Sequence, residues 1–211
     1  MENGVFTDDG QPWRHARALI RPTFTRFEIT DLEYFKTFVE RFLALFPRDG
    51  SEFDMLPLAK RLFLDTSSEF ILGQSVNSLL PTTPPEELEF IESFDHCLTG
   101  LALRLVAGPL RPLFKLDPTF KPNYQKVHKF VDKNVHLAIE RARKLQAAGK
   151  TGEEEEEGVK KKCILLHQMA MENQDAAYLR AQTLNVFFPA RDTSALAIGN
   201  IVFELARHID C

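Results

Sequence analysis

Residues 187–194 read Phe187-Phe188-Pro189-Ala190-Arg191-Asp192-Thr193-Ser194, inside an apolar run that extends from 181 to 206. An acid and a hydroxyl in such a run cost free energy unless something pairs with them or uses them. Pro189 has no N–H, so the carbonyl of Asn185 loses its helical partner and a kink is expected there. Small residues, a kink and a carboxyl beside an alcohol make a reasonable place for a ligand. The same spacing also fits a core threonine with Asp192 paired to a nearby arginine, since buried polar groups usually have partners. Arg191 and Asp192 leave uncharged stretches of only 181–190 and 193–203, both short of the roughly 18 apolar residues of a membrane span. The run is therefore predicted as a helix buried on nearly all sides, from about Ala176 to His208.

Helical periodicity continues outward from this run, and strand alternation is scarce. A shorter helix is predicted at about 160–172. Before it, Phe120, Tyr124, Val127, Val131, Val135 and Ala138 hold a 3.6-residue period within a long helix at 119–148. Pro109, Pro112 and Pro118 punctuate the chain ahead of that helix. PTTPPEELEF at 81–90 feeds a helix from about Pro85 to Leu105, and residues 57–72 form another, closed by Gly73. Thr30 and Glu33 have the spacing of a capping box ahead of the stripe Leu32, Phe35, Val39, Phe42 and Phe46, which Pro47 ends. A first helix is predicted at 12–20, with Pro12 in its first turn.

Length and composition bound what these helices build. The chain has 211 residues, of which 44% are hydrophobic and 27% charged. Those proportions exclude a disordered, collagen-like or disulfide-dense class. With no internal repeat, residues 1–211 read as a single, nearly all-α domain. Within it, 149–162 (GKTGEEEEEGVKKK) is a charged excursion expected to be a flexible loop. Eighteen phenylalanines demand a large buried aromatic surface. A net charge of −4 and a pI near 5.9 argue against a nucleic-acid partner. Cys97, Cys163 and Cys211 are an odd set without a CxxC pair, so free thiols are expected. The opening MENGVFTDDGQPW carries neither the basic nor the apolar region of a targeting signal.

A second segment, Trp13-Arg14-His15-Ala16-Arg17, places Trp13 and Arg17 on one helical face. An indole N–H beside a guanidinium suits a carboxylate or phosphate, and equally makes a cation–π contact on a surface helix. Taken together, the two segments resemble a family. Gly4-Val5-Phe6-Thr7-Asp8-Asp9-Gly10-x-x-Trp13-x-x-x-Arg17, continued by Arg21-Pro22-x-Phe24, resembles the loop and C helix of cytochrome P450 haem-thiolate monooxygenases. Pro189 to Ser194 is similar to that family's I-helix motif, small-Gly-x-acid-Thr-Thr. Phe203-Glu204-Leu205-Ala206-Arg207-His208 is similar to the end of the same helix, and the intervening helices match the D to H helices in order and number. The implied fold is a partial, mainly α cytochrome P450 domain, helices C to I, with most of the family's β-structure and the haem-ligand loop missing.

That resemblance implies site roles. Trp13 and Arg17 would hold a haem propionate, Thr193 would present its hydroxyl to dioxygen at the iron, and Asp192 would relay protons. Ala190 stands where the family has glycine, and Ser194 where it has a second threonine. The family's Glu-x-x-Arg pair and its cysteine-ligand loop are not found. Glu204 and Arg207 have the spacing of the first but lie at the end of the I-helix segment, and Cys211 lacks the loop that would precede the ligand. No metal ligand is therefore assigned. The chain is expected to be the middle of such an enzyme, truncated at both ends and inactive alone. The complete enzyme would hydroxylate an apolar substrate such as an alkane or fatty acid, as fungal members do, with electrons from an NADPH-dependent reductase. It would sit on the cytosolic face of the endoplasmic reticulum membrane, whereas this chain, with no transmembrane segment, would be cytoplasmic. The alternative is a non-enzymatic helical interaction module.

His128, Asp132 and His136 share a helical face, but eight residues of helix span about 12 Å, too far for both histidines to reach one metal. Solvated His–Asp ion pairs are expected instead. The run Glu153–Glu157 lacks the turn residues that calcium binding requires, and Lys160–Lys162 is too short for a nucleic-acid patch.

Overall fold

The structure is a computed structural model that describes residues 3–24, 32–149 and 164–208. Thr30 of the capping box, Cys163, Cys211, most of the charged excursion and the start of the helix expected at 160–172 lie outside the described residues. Among the described residues seven α-helices follow one another: α1 (Gly10–Ile20), α2 (Leu32–Ala44), α3 (Met55–Leu72), α4 (Pro85–Val106), α5 (Phe120–Ala147), α6 (Leu165–Glu172) and α7 (Ala176–Arg207). Short 3-10 segments lie at Arg21–Phe24 and Gly108–Leu116, and no strand occurs among the described residues. The mainly α reading therefore stands.

Helix ends follow local chemistry. The Asp54 carboxylate accepts from the Leu56 amide and caps α3, and Asp175 accepts from the amides of Ala177 and Tyr178 and caps α7. Pro85 occupies the first position of α4. Gly73 closes α3 at φ 81°, where it packs so tightly that a Cβ would meet Ile164 Cδ1 at 2.7 Å.

The main core lies where α3, α4, α5, α6 and α7 converge. Val127, Val131, Val135 and Ala138 of the α5 stripe are all buried there. The aromatic surface demanded by composition gathers around α7. Phe90 stacks on Phe130 with centroids 4.1 Å apart, Phe94 meets Phe187 edge-on at 5.1 Å, and Phe188 stacks on Phe94 at 5.0 Å. Such pairs add roughly 0.5–1.5 kcal/mol beyond their area burial. They fix the two phenylalanines directly ahead of Pro189. A smaller cluster, with Phe38, Phe42, Ala59, Leu62, Leu79 and Ala195, joins α2 and α3 to the middle of α7.

Candidate functional site

The α7 motif is anchored from below by phenylalanines and from the side by an ion pair. α7 stays helical through Pro189. Arg191 is buried and donates through Nη1 to Asp95 Oδ1 of α4, and its Cζ lies 5.9 Å from the Phe94 ring centre. This pairing explains how a cation is tolerated in the middle of the helix.

Asp192, the next residue, is partly exposed. Its Oδ1 is buried with no hydrogen-bond partner among the described residues, and Arg191 Nε, also without one, lies 3.7 Å away. The arginine neighbour allowed by the spacing is therefore present, but its hydrogen bond goes to Asp95. Thr193 is not a core threonine. It is exposed, and its hydroxyl donates to the Pro189 carbonyl at 2.8 Å. The bond satisfies the proton of the hydroxyl and leaves its oxygen lone pairs outward. Ala190, half-buried, packs against the main core. The arrangement sets a carboxylate oxygen that accepts no hydrogen bond among the described residues and an alcohol oxygen on consecutive residues, at the edge between core and solvent. Such a pair can accept, hold and pass on a proton.

On α1, Ala16, Leu19 and Ile20 face the core while Trp13 and Arg17 face out. The Arg17 guanidinium carbon lies 5.4 Å from the Trp13 ring centre, so the cation–π contact allowed by their spacing forms. Neither side chain makes a hydrogen bond or ion pair with another described residue, which leaves the indole N–H and the guanidinium as a donor face. No such bond links this face to Asp192 or Thr193.

The other sequence candidates resolve into structural roles. No group of three His, Cys, Asp or Glu residues among those described could hold a metal ion. The expected His–Asp ion pairs are not what forms. The Asp132 carboxylate is taken by Arg180 Nη1 at 3.0 and 3.2 Å, because α7 packs on this face of α5. His136 Nδ1 lies 2.7 Å from the backbone carbonyl of Asp132, and the His128 ring lies 3.9 Å from Tyr124. Glu204 and Arg207 pair at 3.9 Å on the surface. Burial pushes the Cys97 thiol up to about 11, and the protein keeps it protonated. No described helix is long and apolar enough to cross a membrane.

Sequence reasoning missed Gln182, Asn185 and the Arg191–Asp95 pair. The available signal was burial itself: a helix expected to be buried all round must find partners for every polar residue it carries.

Comparison with known proteins agrees with the resemblance. The family model described as Cytochrome P450 matches residues 1–211. The chain is 35% identical to cytochrome P450 monooxygenase fumoA of Cordyceps fumosorosea over 99% of its own length and 40% of the relative's. It is 30% identical to cytochrome P450 monooxygenase fsdH of Fusarium heterosporum, over 100% of the chain and 37% of that protein. It is also 30% identical to cytochrome P450 52A1 of Candida tropicalis, over 99% of the chain and 38% of that protein. The chain thus spans about two fifths of the length of the relatives it matches.

Proposed function

The chain belongs to the cytochrome P450 family, and on that premise we propose that residues 1–211 form, as one unit, the central helices of a haem-thiolate monooxygenase. The whole enzyme would hydroxylate an apolar, alkane- or fatty-acid-like substrate with electrons from an NADPH-dependent reductase, at the cytosolic face of the endoplasmic reticulum. The observation that carries this reading is the α7 pair. Asp192 Oδ1 is buried, accepts no hydrogen bond among the described residues and meets only Arg191 Nε at 3.7 Å, beside the exposed Thr193. A carboxylate oxygen with no hydrogen bond and an alcohol on the adjacent exposed residue fit a proton-handling role.

Haem, when bound, supplies the activation of oxygen. The Trp13 N–H and Arg17 guanidinium suit its carboxylates, one as a neutral donor and the other as a charged fork. Asp192 would take a proton from solvent and pass it to Thr193 Oγ1, which would release in exchange the hydroxyl proton it now donates to the Pro189 carbonyl, so that the alcohol stays neutral. Ala190 keeps the surface beside them small. The reading includes inactivity of residues 1–211 alone, because Cys97 packs in the main core and none of Cys97, Cys163 and Cys211 sits in a ligand motif.

The test is haem content. In the whole polypeptide, Arg17→Ala and Trp13→Ala should each lower the haem-to-protein ratio after dialysis several-fold without loss of helicity. Unchanged haem retention in both variants contradicts the assignment of α1. Residues 1–211 reconstituted with haem should give no thiolate-type Soret band when reduced under carbon monoxide, and such a band would overturn the inactivity.

A further inference from the structure

The segment ahead of α1 is held to α7 by polar contacts that close almost the whole length of the chain. The Val5 amide donates to Gln182 Oε1 at 3.2 Å, and the Phe6 amide donates to Asn185 Oδ1 at 3.2 Å. The amides of Thr7 and Asp8 turn back onto the Gly4 carbonyl at 2.9 and 2.8 Å, so the segment presents itself as a tight turn. Gln182 and Asn185 lie three residues apart and therefore share a face of α7. Their exposures are 0% and 1%, and buried amides are costly unless their hydrogen bonds are made. Asn185 uses both ends, because its Nδ2 donates to the Ala181 carbonyl at 2.9 Å. Gln182 Nε2 has no partner among the described residues, which leaves the bond to Val5 as the contact that its amide group makes there.

Gly4 completes the fit by what it lacks. A Cβ there would stand 2.4 Å from Asn185 Nδ2 and 2.6 Å from its Cγ. A side chain bonded at both ends cannot swing aside to admit it. The approach of the two backbones thus depends on glycine at position 4 and on the amide at position 185.

We infer that Gln182 and Asn185 are positioning residues that latch Gly4–Asp8 onto α7 and thereby set where α1 lies. α1 begins at Gly10, directly after the turn, and carries Trp13 and Arg17. Asn185 precedes Asp192 by about two helical turns on α7. One latch therefore fixes the donor face of α1 against the helix that carries Asp192 and Thr193. This consequence for cofactor binding rests on the proposed function; the latch itself does not.

Hydrogen–deuterium exchange read by mass spectrometry on the whole polypeptide tests the inference. Asn185→Ala and Gly4→Ala should each raise exchange in peptides covering residues 4–9 at least tenfold, with protection in the α5 segment 127–142 unchanged. The double variant should exchange no faster than the faster single one, because a methyl group at position 4 fits once Asn185 is truncated. A merely additive loss, or unchanged exchange at 4–9 in Asn185→Ala, overturns the latch. Gln182→Met, close in shape, removes the Val5 acceptor and reads the same peptide if Asn185→Ala also loosens α5. Unchanged exchange in that variant counts equally against the latch. In the same samples, Asn185→Ala should lower haem retention as Arg17→Ala does. Raised exchange with full retention refutes the link to the cofactor and leaves the latch standing. If Arg17→Ala itself retains haem, the assignment of α1 fails, and the exchange data still judge the latch.

Discussion

Asp65 sits in α3 with no solvent exposure, and its two oxygens accept from the Ser78 amide at 2.7 Å and the Leu79 amide at 2.9 Å. With Ser68, whose Oγ accepts from the Val76 amide at 3.1 Å, it ties the loop after Gly73 back to α3. Asp65→Ala would bury two amides without acceptors, at roughly 1–3 kcal/mol each. A loss of about 2–6 kcal/mol in denaturant titration of the whole polypeptide is therefore expected. Burial pushes the Asp65 carboxyl above its ordinary value of 3.8, against the pull of those amides and Arg61. With its folded pKa raised, the group's contribution is complete below 3.8 and declines as pH rises through the folded pKa. The deficit of Asp65→Asn should accordingly be larger near pH 4 than at pH 7, and a deficit that grows with pH contradicts this. Arg191 poses the complementary case. Asp95→Ala removes the hydrogen-bonded partner of a buried cation and leaves it, among the described residues, only Asp192 at 3.7 Å, and about 1–3 kcal/mol of destabilisation is expected because Asp95 itself is half exposed. Adding Arg191→Met should recover part of that loss.

At the scale of elements, most of the helical plan is legible in the sequence, because helix ends are written locally. Gly73 after Leu72, Pro85 ahead of two glutamates, and the period of 119–148 each specify a boundary or a face from neighbouring residues alone. The contacts that build the site are not local. Val5 meets Gln182 across 177 residues, Arg191 meets Asp95 across 96, and Asp132 meets Arg180 across 48. A charge pattern on one helix cannot say which of its neighbours will supply the partner, and that is why spacing alone pairs Asp132 with histidines four residues away. Thr193 is legible as a candidate site residue by its unlikely place in an apolar run. Its exposure follows only from how α7 passes out of the core. The α4 thiol offers a check on element packing. With its pKa near 11, Cys97 holds about one thiolate per thousand molecules at pH 8. Iodoacetamide should leave Cys97 unmodified in the folded whole polypeptide and label it on unfolding, as peptide mapping will show. Rapid labelling of Cys97 in the folded state would contradict its burial between α4 and the core.

At the scale of the molecule, apolar side chains remain on the surface in two regions. Leu105, Val106 and Leu116 around the 3-10 segment after α4 are each at least 80% exposed, and Leu196, Ile201, Val202, Phe203 and Leu205 line the outer half of α7. Patches of that extent promote association when nothing covers them. Residues 1–211 in isolation should bind a hydrophobic dye and unfold without a sharp transition, and a sharply melting, dye-silent monomer would count against this. The outer α7 face continues directly from Thr193, so Asp192 and Thr193 lie where the buried half of the helix gives way to the exposed half. Whether that pair works in oxygen chemistry is tested most directly by the ratio of hydroxylated product to NADPH consumed, measured on the whole enzyme carrying Thr193→Ala. NADPH and oxygen should still be consumed while the ratio falls several-fold, with Thr193→Ser restoring most of it. A ratio unchanged from the unsubstituted enzyme would contradict the proton-handling role of Asp192 and Thr193.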